Sequence, residues 1–291
     1  MRRAALEMID TFSDSPISIS NRPVEYSLEG AQEFGGGLMS KTYNAADGRT
    51  MIKVCLIKSL EGVEEEFRCA QSVKKIGIST PAVKYIIKCC NQYGLLYERV
   101  VNKISMMRML SRNPEKVEEY AHTFARLSKE LHSKDCDVAV FTNIKDRIRD
   151  FVSSYDFITE KERNDVLAFA SSLPDCTKCA HGDLHPGNIL FDGEKYYFID
   201  LGGFNYGCPE LDFGIMIFFV YLGVSKEAFE VEPPVLEKFL RIWVMDEYGL
   251  SKGEVDAKIR ELGRYATLHM LVELKMQSDK PEPFSLPGRS S

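Results

Sequence analysis

His181-Gly182-Asp183-Leu184-His185-Pro186-Gly187-Asn188-Ile189-Leu190-Phe191-Asp192, followed by Phe198-Ile199-Asp200, holds the densest chemistry in the chain. A carboxylate at Asp183 is followed by an amide at Asn188. Two short apolar runs, 188–191 and 196–199, flank the turn signal Asp192-Gly193 and read as a hairpin. Such a hairpin brings a second carboxylate, Asp200, back towards Asn188. Phosphoryl transfer needs a carboxylate to orient a hydroxyl and take its proton, and hard oxygen ligands for Mg²⁺. Asp183 is the expected catalytic base, Asn188 one expected metal ligand and Asp200 the principal one. His181 and His185 are expected to shape the loop, because Asp183 already fills the role of base.

Towards the N-terminus the pattern is strand-like. Residues 26–30 lead into Phe34-Gly35-Gly36-Gly37, and runs at 41–45 and 50–57 surround the turn signal Asp47-Gly48. They read as a three-stranded antiparallel meander. Residues 64–76 place Phe67, Ala70, Val73 and Ile76 on one helical face, with Gly77 as the stop and Pro81 beyond it. Further strands are expected at 83–87 and 94–100. Helical spacing then dominates, at 114–132, 146–152, 160–172, 211–222, 234–248 and 252–277. The expected fold class is α+β. A small antiparallel-sheet lobe with one helix covers 26–100, and a larger, mainly helical lobe covers 101–280. Residues 1–25 are expected to form a flexible segment and 281–291 a disordered tail rich in Pro, Ser and Gly.

The pattern His181-Gly182-Asp183, Asn188, Ile199-Asp200 resembles the aminoglycoside phosphotransferase-like family, which includes choline, fructosamine and homoserine kinases. The resemblance extends from about Leu28 to about Val220. It implies a bilobal, protein-kinase-like fold, ATP and Mg²⁺ as cofactors, and a small-molecule hydroxyl acceptor. It also implies roles upstream. Gly36 and Gly37 lie where a phosphate loop would run, and glycine lets backbone N–H groups approach phosphates closely. Ser40 is an additional candidate phosphate donor. Lys53 is implied to contact the α- and β-phosphates and to pair with a glutamate on the next helix. Glu66 fits that glutamate, with Glu64 and Glu65 as competitors. A one-residue change of strand register would instead turn Lys53 to solvent. Residues 95–100 resemble the hinge between kinase lobes, with adenine held by backbone groups around Glu98 and Val100. Pro209-Glu210-Leu211-Asp212 resembles a family element whose aspartate, Asp212, is expected to brace the catalytic loop. Leu201-Gly202-Gly203 departs from the family, which has tryptophan- or phenylalanine-containing versions there.

Other classes are disfavoured. The formal net charge of −6 argues against a nucleic-acid partner. No apolar run approaches the roughly 20 residues of a membrane span, and no apolar core follows Arg2 and Arg3. The eight cysteines are scattered, as suits reduced thiols and a cytoplasmic location. Cys176-Thr177-Lys178-Cys179 has no second pair to complete a zinc site. The Walker-type G-x-x-x-x-G-K-[ST] is absent. The short interval from Asp200 to Asp212, without A-P-E, disfavours the alternative of a protein kinase acting on a protein substrate. The presence of Lys53, Asp183, Asn188 and Asp200 together disfavours a nucleotide-binding pseudokinase. The acceptor stays open among aminoglycoside-like antibiotics, sugars and amino alcohols. Glu210, Glu227, Glu230, Asp246, Glu247 and Glu273 suit a cationic acceptor, but read more plainly as solvated helix faces. No oligomeric state follows from the sequence.

Overall fold

The computed structural model describes residues 23–36, 40–89, 91–154, 158–221 and 230–277, with Gly36 and 267–277 described by backbone alone. Six strands form the first sheet: β1 (Val24–Glu25), β2 (Gln32–Gly36), β3 (Ser40–Asn44), β4 (Thr50–Cys55), β5 (Val83–Cys89) and β6 (Gln92–Glu98). Their order is β1-β5-β6-β4-β3-β2. Only the short β1 pairs in parallel, against β5. Helix α1 (Leu60–Lys75) lies between β4 and β5 in the chain.

Strand alternation sorts β4 between two environments. Ile52 and Val54 join Ala45, Ile87 and Leu96 in a small apolar cluster on one face. Met51, Lys53 and Cys55 therefore share the other face, where Val63, Phe67, Ala70 and Val73 of α1 pack on the sheet. Lys53 is thus turned under the helix.

Some boundaries differ from expectation. Residues 26–30 do not form a strand; Glu29 and Gly30 turn the chain, with Gly30 at φ 75°. The helix begins at Leu60 rather than at 64, because the Ser59 hydroxyl accepts the Gly62 N–H and caps it there. The elements that were not legible include β7 (Ile104–Ser105) and α2 (Met106–Arg112), a short helix capped by Ser105 that buries Met106, Met107 and Leu110.

The remainder is mainly helical: α3 (Val117–Ser133), α4 (Ile144–Ser153), α5 (Glu160–Ser172), α6 (Leu211–Tyr221), α7 (Pro233–Tyr248) and α8 (Val255–Gln277). The expected hairpin is present as β9 (Ile189–Phe191) and β10 (Tyr196–Phe198), extended by β7 in the order β10-β9-β7. A two-residue strand β8 (Cys179–Ala180) pairs with β11 (Asn205–Tyr206). Helix α6 is apolar on all sides and accordingly buried. Trp243 of α7 stacks on Phe213 of α6 at 4.1 Å and meets Phe124 of α3 edge-on at 4.8 Å. Cys179 of β8 and Leu184 just after it belong to the same buried cluster as these rings. The architecture is α+β, with the antiparallel sheet and one helix first and the helical part after it. Among the described residues, no helix is long and apolar enough to cross a membrane. Of the flexible segment expected at 1–25, residues 1–22 lie outside the described residues and Val24–Glu25 form β1, held against β5; the expected tail at 281–291 also lies outside them.

Candidate active site

Strand β8 is fully buried and runs directly into His181. From there the backbone is pinned by Asp212, at the start of α6. Its Oδ2 accepts the His181 N–H and its Oδ1 the Gly182 N–H, each at 2.7 Å. Burial opposes the charge of Asp212, but the hydrogen bond and charge of His132 hold its carboxyl below the ordinary value. Gly182 has φ 82°, and a Cβ there would stand 2.1 Å from the Gly203 carbonyl oxygen. No other residue fits this approach. The His181 ring donates from Nε2 to the Ile199 carbonyl at 3.0 Å.

Asp183 follows, with a side chain 39% exposed. Asn188 Nδ2 donates to the Asp183 carbonyl at 2.8 Å and to its Oδ2 at 3.2 Å. His185 closes the turn by accepting the Gly187 N–H on Nδ1 at 3.0 Å, and its Nε2 lies 3.9 Å from Asp183 Oδ1. The Ile199 N–H donates to the Asn188 carbonyl at 3.0 Å, which ties the end of β10 to the start of β9 and sets Asp200 beside this loop.

Lys53 reaches the same place from the sheet. Its Nζ lies 2.8 Å from Glu66 Oε1 and 3.1 Å from Asp200 Oδ1. The side chain of Glu66 is only 1% exposed, and its Oε2 takes Lys58 Nζ at 2.6 Å. Glu65 is exposed and Glu64 half-buried, so the helical register selects Glu66. Burial would raise the Glu66 carboxyl, but Lys53 and Lys58 together hold it below the ordinary value. Burial would likewise lower Lys53, but the charges of Asp200 and Glu66 raise it above the usual lysine range. Asp200 sits in the left-handed region at φ 59°, its carboxyl held low by Lys53 against the effect of burial. That side chain remains 53% exposed. Arg147 of α4 clamps the next turn, donating to the carbonyls of Gly202, at 2.9 Å, and Gly203.

Sequence reasoning missed Arg147 and Lys58. Arg147 shares the inward face of α4 with Ile144 and Ile148, and a cation on an apolar face was the available signal. Lys58 had none, since it stands in the turn between β4 and α1.

The other candidates lie at the sheet edges. Gly36 ends β2 opposite Lys41, and Ser40 opens β3 opposite Cys55; Gly37 lies outside the described residues. Glu98 ends β6 exposed, and Val100 is buried just beyond. One acid departs from the solvated-face reading: Glu247 is buried against His132. Asp246 stays at the surface, paired with the exposed His122 at 2.5 Å. Glu227 and the side chain of Glu273 lie outside the described residues. Cys179 meets not Cys176 but Cys136, Sγ to Sγ at 2.6 Å.

The donor set suits Mg²⁺. Among the described residues, Asn188 Oδ1 and Asp200 Oδ2 take no hydrogen bond. A hard cation needs one or two such protein oxygens when phosphates supply the rest.

A family model described as the phosphotransferase enzyme family matches residues 30–232, well over half of the chain. No curated protein matches in sequence. Solved structures are similar in fold. The ADP-bound aminoglycoside phosphotransferase APH(2'')-Ib is 18% identical with a TM-score of 0.57, over 86% of this chain and 88% of that one. APH(2")-IIa in complex with gentamicin is 16% identical with a TM-score of 0.58, over 86% of each chain. APH(3'')-Id from Streptomyces rimosus ATCC10970 is 21% identical with a TM-score of 0.52, over 83% of this chain and 92% of that one. The fold is therefore the protein-kinase-like arrangement of these phosphotransferases.

Proposed function

This chain belongs to the phosphotransferase enzyme family, and on that premise we propose that it transfers the γ-phosphate of ATP to a hydroxyl of a small molecule, with Asp183 as base. The observation that carries the reading is the bridge from Lys53 to both Glu66 and Asp200. It joins the sheet, α1 and the loop after β10 at one point, where phosphates and a cation would meet.

In this reading Lys53 leaves Asp200 for the α- and β-phosphates and keeps Glu66 as its anchor. Gly36, Gly37 and Ser40 lend donors to the phosphates, and backbone groups at Glu98 and Val100 hold adenine. Asn188 and Asp200 hold Mg²⁺, which when bound neutralises charge on the transferring phosphoryl group. The Asp183 carboxylate, steadied by Asn188 Nδ2, orients the acceptor hydroxyl and accepts its proton. The acceptor approaches from the side of α6 and the helices after it, so residues from about Phe213 to Met276 set substrate choice. A cytoplasmic setting goes with this reading, because eight scattered cysteines suit reduced thiols.

The structural neighbours include complexes with gentamicin and with streptomycin, so aminoglycosides are the first acceptors to try, then sugars and amino alcohols. The test is ADP release from ATP and Mg²⁺ across such a panel. The expected result is release that depends on one small hydroxyl compound, which gains phosphate. Release that tracks phosphorylation of protein side chains, with every small acceptor inert, refutes the proposal.

A further inference from the structure

Behind the loop that carries Asp183, a line of buried charge crosses three helices. Asp212 on α6 takes the His181 and Gly182 amides, and its Oδ2 also meets His132 Nε2 of α3 at 3.0 Å. The other ring nitrogen, Nδ1, lies 2.9 Å from Glu247 Oε1 of α7. Ser128 Oγ stands 3.4 Å from the same nitrogen and accepts the Trp243 indole N–H at 3.0 Å. The side chains are 7% exposed for His132, 0% for Asp212 and 9% for Glu247.

An ionised carboxylate only accepts hydrogen bonds. Two carboxylates on opposite nitrogens of one imidazole therefore call for an N–H on each. A neutral ring satisfies one and turns a lone pair towards the other, a costly arrangement when buried. Glu247 hydrogen-bonds to no other partner among the described residues, and its Oε2 is buried without one. Its carboxylate is thus dedicated to His132.

We propose that Glu247 is a positioning residue for phosphoryl transfer, holding His132 as an imidazolium and, through His132 and Asp212, fixing the backbone that presents Asp183. The catalytic consequence rests on the phosphotransferase reading; the charge state of the ring does not. A charge-assisted bond from His132 to Asp212 is roughly twice as strong as a neutral one. Among the described residues, the groups that face the ring are few. Asp212 comes from α6 and Glu247 from α7, while Cys179 of β8 and His181 of the catalytic loop lie within electrostatic reach of the ring and of Asp212 respectively. Burial pushes the ring towards neutrality, but the two carboxylates prevail and raise it to about 9.

The test uses the full chain and two measurements. The first follows the nitrogen-15 ring signals of the five histidines against pH, with His132 identified by its contact to the Phe213 ring. An imidazolium persisting through neutral pH is expected, and a neutral ring near pH 7.5 overturns the proposal. The second compares Glu247→Gln and Glu247→Asp with the wild type in kcat and KM as functions of pH. The glutamine amide can donate to Nδ1, so the ring keeps its place and loses its charge. Glu247→Gln is expected to lower kcat about tenfold near pH 8, as a small misplacement of Asp183 does. Its alkaline limb should move down by about one pH unit or more, with KM for ATP within about twofold. Glu247→Asp should recover part of that limb. A folded Glu247→Gln with a wild-type pH profile refutes the proposal. If that variant does not fold, the wild-type titration decides alone. A chain with no acceptor turnover would overturn the phosphotransferase reading and leave the titration standing.

Discussion

Gly182→Ala perturbs the loop that carries Asp183 by one methyl group. At φ 82° an alanine is strained, and its Cβ would meet the Gly203 carbonyl oxygen at 2.1 Å and carbon at 2.7 Å, with Asn205 Nδ2 at 3.0 Å. Neither side can yield cheaply. The Gly182 amide is held by Asp212 at 2.7 Å, and the opposing turn is held by Arg147 on the Gly202 and Gly203 carbonyls. Left-handed backbone costs roughly 1–2 kcal/mol, and overpacking of a close contact roughly 1–3 kcal/mol. The sum is about 2–5 kcal/mol, a large part of the roughly 5–15 kcal/mol that keeps a domain folded. Relief requires the next residue, Asp183, to move, and a shift of about 1 Å costs on the order of 10² in rate. Urea unfolding should therefore show a lower midpoint, and turnover of the folded fraction should fall about a hundredfold. A variant with wild-type midpoint and wild-type turnover would show that the loop does not need this approach.

Lys53→Ala should raise KM for ATP by about tenfold or more while the chain stays folded, because Lys58 still meets Glu66 at 2.6 Å; unchanged ATP affinity and rate remove Lys53 from the phosphate site. Chelation should abolish transfer and Mg²⁺ or Mn²⁺ restore it, whereas Asp200→Ala turning over normally in metal-free buffer contradicts the metal assignment. Stability should fall at alkaline pH. The His132 ring is raised to about 9, so its contribution is complete below the unfolded value of about 6.5 and is lost as pH climbs through about 9. A shift of that size corresponds to about 3 kcal/mol at most, and unfolding free energies that stay level or rise across that window disprove it.

The candidate catalytic segment was legible in the sequence because its parts are local. Asp183, Asn188 and Asp200 lie within one loop and hairpin, and the Asp192-Gly193 turn announces the return. Lys53 was ambiguous because alternation tells which residues share a face but not which face is covered. Pairing with Thr42 and Leu95, and the packing of α1, resolve it. The strands β1, β8 and β11 are two residues long and exist only through their partners, so no periodicity marks them. Helix α2 follows Ser105 at once after a two-residue strand, and its cap was masked by the apolar run around it. His132 and Glu247 are 115 residues apart in sequence, and nothing on α7 distinguishes a glutamate dedicated to a buried ring from one facing water.

The central claim is that Asp183 takes the acceptor proton, and single-turnover transfer by Asp183→Asn tests it most directly. The amide preserves the side chain's size and can still accept from Asn188 Nδ2, so the loop should hold its shape. Neither Lys53 nor the proposed metal ligands change, so affinity for ATP with Mg²⁺ should stay within about twofold. Transfer from ATP to the acceptor identified by ADP release should drop by about 10²–10⁴. Transfer within a few-fold of wild type would contradict the account and require a different base.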